Sequence, residues 1–210
     1  VKDFINNSNT KFIISSHIST FNKCALRLKE SFLYNSIPEE NILIVEAGNE
    51  FCSFEKNIIK TNHNSFDHNA IIEILENNLK SKYWFVTHDT CEAGFEFYKK
   101  IKNIPIFTPY TPITEMGWLN MGLFSNDFIH QNKNYILSLK NCSKKRAILS
   151  ERVFSLMGDC KSFGLQKDTE IIRDCKIYND NKERVTLYFP FLDYYKFQSM
   201  EAARVMGLIQ

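Results

Sequence analysis

Apolar positions follow two rhythms over the first hundred residues. Short β-branched and aromatic runs, KFIISS at 11–16, NILIVEA at 41–47 and YWFVT at 83–87, have the length and composition of buried strands, and 57–62 is a shorter one. Between them, Ala25, Leu26, Leu28, Phe32 and Leu33 recur at helical spacing across 22–34, with Asn22 as N-cap and Pro38 closing the unit. Phe66, Ala70, Ile71, Ile74, Leu75 and Leu79 mark one face of a second helix. A third helix is expected from about 92 to 101, with Ala93, Phe97 and Ile101 inward. Beyond it Pro105, Pro109 and Pro112 break the pattern. Ser150, followed by Glu151, Val153, Phe154 and Met157, predicts a capped helix start. Positions 180–182 predict a turn, and VTLYFPF at 185–191 predicts a late strand whose end Pro190 places at an edge.

Strands of five to seven apolar residues alternating with helices predict an α/β fold, a mainly parallel central sheet with helices on both faces. Neither a repeat nor a linker interrupts the chain. One domain over 1–210 is expected, with a nucleotide-binding half to about 102 and a less regular half from about 103. Ligands of such sheets bind beyond the carboxyl ends of the strands, which directs attention to 15–22, 46–50, 63–69 and 88–92.

Composition narrows the classes. With 44% hydrophobic residues, only 7 Gly and 5 Pro, the 210-residue chain is neither disordered nor collagen-like. The 26 basic and 24 acidic residues leave a formal charge of +2, too even for binding nucleic acid through phosphate neutralisation. Six cysteines without a close pair predict buried reduced thiols in a cytoplasmic protein rather than a zinc site or a disulfide framework. No apolar run approaches the ~18 residues of a membrane span. A chain opening on Val1 leaves room for further domains of a longer polypeptide.

Several chemistries are excluded by missing motifs. GxGxxG, GxxxxGK[ST] and GxSxG are all absent, which sets aside Rossmann dehydrogenases, P-loop enzymes and α/β-hydrolases. A nucleotidyltransferase would need a Gly-rich triphosphate loop after the first strand, and 15–22 contains no Gly. What remains is one carboxylate, Asp89, directly after a strongly hydrophobic strand and before the expected third helix. A carboxylate there suits a hard divalent cation and the phosphates it neutralises; equally, Asp89 or Thr90 caps that helix.

The order strand, SSHxSxFNK, helix, strand ending in an acidic residue, short strand, helix and WFVTHDT resembles the nucleotide-binding half of GT-A-fold glycosyltransferases. More narrowly, it is similar to the small glycosyltransferase domains of large algal DNA viruses, over about 11–130. The resemblance implies a sugar moved from a nucleotide-diphosphate donor, a UDP-sugar, to a glycan or glycoprotein hydroxyl such as a viral capsid glycan, in the host cytoplasm. It also implies Mn²⁺ or Mg²⁺ at a DxD-type motif closing the fourth strand. Thr87-His88-Asp89-Thr90 stands there with Asp89 as the metal ligand and without the motif's first aspartate. His88 and Asp89 face opposite ways by the strand period, so His88 is assigned to ribose or phosphate. Ser15, Ser16 and His17 are expected along the nucleoside, Glu46 on the base's imide N–H, and His63, Asn64 and Asp67 on ribose or diphosphate. Glu46 also reads as a solvated loop residue, and Ser65 or Asp67 as a helix cap.

Transfer requires a cation for the leaving diphosphate and a base for the acceptor hydroxyl. Glu151, read at the start of a helix after the metal motif, is the first candidate base, with Asp159 and Glu115 in reserve; it also reads as a carboxylate satisfying a helix dipole. Lys196, and the cluster Lys144, Lys145 and Arg146, are the available cations, the cluster doubling as a solvated face. Trp118 and Tyr110 are candidates to stack on a sugar ring or to fill the core. His68 and His130 read as ordinary surface or helix residues. The alternative of another class is a GT-A-like module that binds a nucleotide sugar or a partner without turnover.

Overall fold

A computed structural model describes residues 3–106, 109–113, 121–156, 176–179 and 184–199. In chain order the strands of the first half are β1 (Asp3–Phe4), β2 (Thr10–His17), β3 (Ile42–Ala47), β4 (Ser53–Glu55), β5 (Ile58–Thr61), β6 (Tyr83–His88) and β7 (Cys91–Ala93). The later strands are β8 (Pro105–Ile106), β9 (Tyr110–Pro112), β10 (Gly122–Ser125), β11 (Lys176–Asn179), β12 (Arg184–Phe189) and β13 (Tyr194–Ser199). Helices are α1 (Leu26–Tyr34), α2 (Asn69–Glu76), α3 (Phe97–Ile101), α4 (Asn126–Gln131), α5 (Lys133–Leu137) and α6 (Lys144–Leu156).

The fold is α/β around a seven-stranded sheet of order β4-β5-β3-β2-β6-β10-β9. The sheet is mixed rather than mainly parallel. Its middle four strands, β5-β3-β2-β6, run parallel, while β4, β10 and β9 pair antiparallel at the flanks. A second sheet, β11-β12-β13-β7, is antiparallel throughout, and over all sheets antiparallel pairings outnumber parallel ones. The β4–β5 and β12–β13 connections, two and four residues long, are hairpins, which only antiparallel pairs permit.

The two faces of the large sheet bury separate cores. Phe12, Ile14, Ile44 and Phe85 point to one side, against Leu28 and Phe32 of α1, Phe97 of α3 and Leu187 and Tyr194 of the second sheet. Ile13, Val45, Trp84 and Val86 point to the other, against Ile71 and Ile74 of α2, Phe128 of α4 and Phe154 of α6. The alternation is what a period-two backbone requires of strands buried on both faces. We call these the α1 face and the α2 face.

Both long helices of the first half end without glycine. After α1, Ser36 takes φ 62°, its N–H donates to Leu33 O and that of Ile37 to Phe32 O. After α2, Asn78 at φ 49° does the same with Leu75, and Leu79 with Ile74. These are Schellman endings, and buried Ile37 supplies the apolar contact that fixes the first.

Several local expectations are overturned. The helix placed at 92–101 begins only at Phe97, because Cys91–Ala93 pairs as β7 with β13. Neither Asp89 nor Thr90 therefore caps a helix, and no helix N-terminus follows Asp89 directly. The first helix opens with a π-turn at Phe21–Ala25, so Asn22 lies within it and is not its cap. Ser65 and Asp67 do not cap α2, whose preceding turn, Phe66–His68, has no side-chain cap. Ser150 is mid-helix, its hydroxyl donating back to Arg146 O at 2.7 Å, and Lys144–Arg146 form the first turn of α6 instead. Pro190 does close β12, yet β12 is an interior strand of its sheet. Tyr110 is fully buried, stacked on Phe124 with ring centroids 4.0 Å apart, and so does not offer its ring to a sugar. His68 is buried rather than superficial; burial holds its pKa below the ordinary value, and Nε2 lies 3.2 Å from Ala147 O. No helix among the described residues is long and apolar enough to cross a membrane.

Candidate functional site

The carboxyl ends of β2, β3 and β6 bring chemistry-bearing side chains together in two groups, one on each face of the sheet. Strand parity decides membership. Ser16 continues the Phe12, Ile14 series and Glu46 the Ile42, Ile44 series, so both lie on the α1 face. Asp89 joins them: its Oδ2 accepts from the Ser16 hydroxyl at 2.8 Å and from the Thr20 hydroxyl at 2.6 Å. With 8% of its surface exposed, this carboxylate is held by two neutral donors rather than by a cation.

Glu46 is 7% exposed, and among the described residues neither a hydrogen bond nor an ion pair reaches its carboxylate; only its backbone carbonyl accepts, from Asn49. The solvated-loop reading of Glu46 is thereby overturned. The Glu46 oxygens are not among the fully buried side-chain atoms left without a partner, so they remain open to solvent or to a donor from a ligand.

Lys196 enters from the second sheet. It sits opposite Cys91 in the β13–β7 register, on the same side of β13 as Tyr194, and is 6% exposed. Its Nζ donates to Thr90 Oγ1 at 2.5 Å. Among the described residues no carboxylate lies within ion-pair distance of it. One strand end thus presents a buried carboxylate and a buried ammonium on either side of Thr90.

On the α2 face, Ser15 donates to Phe66 O at 3.1 Å, and His88 Nδ1 lies 2.9 Å from Asp67 Oδ1. Phe66 holds this turn at φ 54°, a left-handed conformation rare for an aromatic residue. The His88 ring is buried, and no partner reaches its Nε2 among the described residues. His17, at the end of β2, accepts at Nδ1 from the Ser19 N–H at 3.2 Å, which puts the proton of the neutral ring on Nε2. That nitrogen lies over Gly48, at φ +83°, where a Cβ would come within 2.6 Å of it.

A third cluster stands apart. His63 Nε2 is 2.8 Å from Glu73 Oε1, the Ser65 hydroxyl 3.0 Å from His63 Nδ1, and Asn141 N–H donates to Ser65 Oγ. His63, Glu73 and Glu76 hold their ligand atoms within 4.8 Å of one another. Asn77 donates to Glu73 Oε2 at 2.5 Å, and Lys140 Nζ lies 2.6 and 2.8 Å from the two oxygens of Glu76. The groups satisfy each other, with Lys140 already neutralising Glu76.

The nucleoside and phosphate candidates are therefore divided by the sheet. Ser16, Glu46, Asp89 and Lys196 share the α1 face; Ser15, His88 and Asp67 share the α2 face; His17 lies at the loop edge. Glu151 is in the second half of α6 and not at the helix start that its local pattern predicts. Its side chain lies outside the described residues, as do Asp159, Glu115 and Trp118. Thr20 was missed, although it follows directly on the SSHxS segment. Tyr194 was missed too, since nothing local reveals that its hydroxyl meets that of Thr87, 2.5 Å away.

The donor set can be tested against the divalent cation that the resemblance implies. Thr87, where the motif's first carboxylate would stand, is fully buried with its hydroxyl shared with Tyr194. His88 turns to the other face. Glu46 lies across the whole of β2 from Asp89, ~9–10 Å between backbones, so the pair is not a one-strand chelate. Lys196 brings a positive charge to the same strand end. These residues do not fit a two-carboxylate cation clamp. Comparison with protein-family models, with curated proteins and with solved structures finds no match to this chain.

Proposed function

We propose that the chain is a glycosyltransferase that takes a nucleotide-diphosphate sugar, a UDP-sugar, at the carboxyl ends of β2, β3 and β6 and transfers the sugar to a glycan hydroxyl. The observation that carries this reading is the inward-turned Asp89, with Ser16 and Thr20 on one of its oxygens, at the end of a parallel strand block. Glu46 offers an acceptor for a base N–H, and Lys196 a cation for the diphosphate. The α/β architecture supports it as well, ligands of parallel strands being bound beyond their carboxyl ends.

In the transfer, the bond from the anomeric carbon to the diphosphate oxygen breaks and the electron pair leaves with the diphosphate. The acceptor oxygen forms the new bond at that carbon and gives its proton to a carboxylate base, inverting the centre. Glu151 is the first candidate for that base and Asp159 the second. Charge growing on the leaving oxygens is where a fixed cation is most effective.

A panel of nucleotide sugars, assayed for donor hydrolysis and for transfer, tests the proposal. Wild type is expected to turn over one UDP-sugar, Asp89→Ala to lose turnover, and Glu151→Gln to lose rate far more than donor affinity. Turnover unchanged in Asp89→Ala sinks the assignment of Asp89. The second reading, a binding module without turnover, is favoured by one observation: Thr87 and Asp89 are both satisfied by protein hydroxyls. UDP binding without hydrolysis or transfer of any donor would establish it.

A further inference from the structure

We infer that the ammonium of Lys196 takes the place of a divalent cation, so that the diphosphate of a nucleotide is bound without metal. The inference rests on the nucleotide-diphosphate reading and concerns how its charge is neutralised.

Lys196 is more than nine-tenths buried; among the described residues its ammonium donates to a neutral hydroxyl, Thr90 Oγ1 at 2.5 Å, and no carboxylate lies within ion-pair distance. Desolvating an ammonium without a counter-charge costs several kcal/mol, so a site that keeps one is completed by an anion. The place is determined by strand pairing. Tyr194, two residues earlier on the same side of β13, packs on Phe85 and Phe97 and meets Thr87 on β6. Lys196 follows one pleat further, against Cys91 and Thr90, level with the end of β6. The carboxyl end of a parallel block is where phosphates are received.

The chemistry of the neighbours agrees. An ammonium has three donors, of which Thr90 takes one and two remain for phosphoryl oxygens. One oxygen of Asp89, Oδ2, is taken by the protein hydroxyls of Ser16 and Thr20, which leaves Oδ1 to accept a ligand hydroxyl rather than to hold a cation as half of a chelate. A divalent ion placed beside Lys196 would meet repulsion that a phosphate does not. Hydroxyl-accepting Asp89 and anion-accepting Lys196 together select a ligand that carries both groups, as a nucleoside diphosphate does.

Calorimetry on the full 210-residue chain, with UDP and inorganic pyrophosphate as probes in EDTA and in Mn²⁺, tests this. UDP is expected to bind equally in the two buffers, within about twofold. Lys196→Met should weaken UDP at least about tenfold while holding or raising the melting temperature of the free protein, since it removes an unpaired buried charge. UDP binding that requires Mn²⁺, or a Lys196→Met protein that binds UDP as wild type does, overturns the inference and leaves the glycosyltransferase reading standing. Pyrophosphate binding in EDTA without UDP binding supports the anion site and overturns the nucleotide reading. No binding of either probe in either buffer overturns both. Should Lys196→Met fail to fold, the EDTA and Mn²⁺ titrations of wild type decide alone.

Discussion

His88 and Asp89 are consecutive in the chain and serve opposite faces of the large sheet: His88 Nδ1 meets Asp67 Oδ1 at 2.9 Å on the α2 face, while Asp89 Oδ2 takes the Ser16 and Thr20 hydroxyls on the α1 face. The two share no partner. Asp89→Ala leaves the Ser16 and Thr20 hydroxyls only the His17 carbonyl, at 3.4 and 3.1 Å, and should cost about 1–3 kcal/mol, Asp89→Asn less because it keeps an oxygen there. Asp67→Ala should cost a similar amount through His88. In a double-mutant cycle by urea unfolding the two effects should add within about 0.5 kcal/mol. A coupling above about 1 kcal/mol would mean that the faces communicate.

Thr87 stands where a two-aspartate motif would have its first member, yet its hydroxyl is buried against that of Tyr194. Burial also drives the Tyr194 phenol well above its ordinary pKa, so this pair is neutral. Restoring the motif with Thr87→Asp should lower stability by about 3–5 kcal/mol, the cost of an uncompensated buried charge. Thr87→Val should cost only about 1 kcal/mol. Chemical denaturation of both variants checks the ranking, and a Thr87→Asp protein as stable as wild type would contradict the packing described for β6.

Gly48 has a positive φ and lies under the His17 ring. Gly48→Ala should cost about 1–2 kcal/mol for the backbone and push the imidazole from its place. For a chain of this size that is a fall of roughly 2–8 °C in melting temperature. His17→Ala in the same background should recover the part due to the clash and not the part due to φ.

Burial pushes the Glu73 carboxyl up, and hydrogen bonds from His63, Thr61 and Asn77 more than offset it, leaving the pKa below the ordinary glutamate value. A carboxylate with a depressed folded pKa stabilises the protein above its unfolded pKa of about 4.3, and that contribution disappears as pH falls through the lower folded value. Stability should therefore decline below about pH 4.3 in wild type. Glu73→Gln, less stable at neutral pH, should lose less of its remaining stability on acidification. Identical acid profiles for the two proteins would rule out this origin.

The central strands were legible because composition and burial agree there: KFIISS, NILIVEA and YWFVT are apolar on both faces, as strands between two helical layers must be. The opposite orientation of His88 and Asp89 followed from the same period. Cys91–Ala93 was misread because its pairing partner, Tyr194–Lys196, lies a hundred residues on, and no local pattern announces it. Ser65 and Asp67 look like caps, but the Ser65 hydroxyl is taken by neighbouring His63 and distant Asn141, and Asp67 by distant His88. Tyr110 sits among prolines as a surface residue would, and is buried only because β10 and α4 close over it. Polar residues at strand ends could be nominated from sequence. Which face each one served, and that Thr20 would join them, depended on contacts across the whole chain.

The pairing of β13 with β7 sets a timetable. Ser16, Glu46, Thr20 and Asp89 all emerge within the first half of synthesis, whereas Lys196 arrives some 107 residues after Asp89, on a hairpin that pairs with β7 only once both are made. Until that late docking, the strand end holds acidic groups alone and repels phosphate. On the proposed nucleotide reading, capture of the diphosphate waits for this hairpin, and UDP present during refolding should favour chains in which β13 has paired with β7.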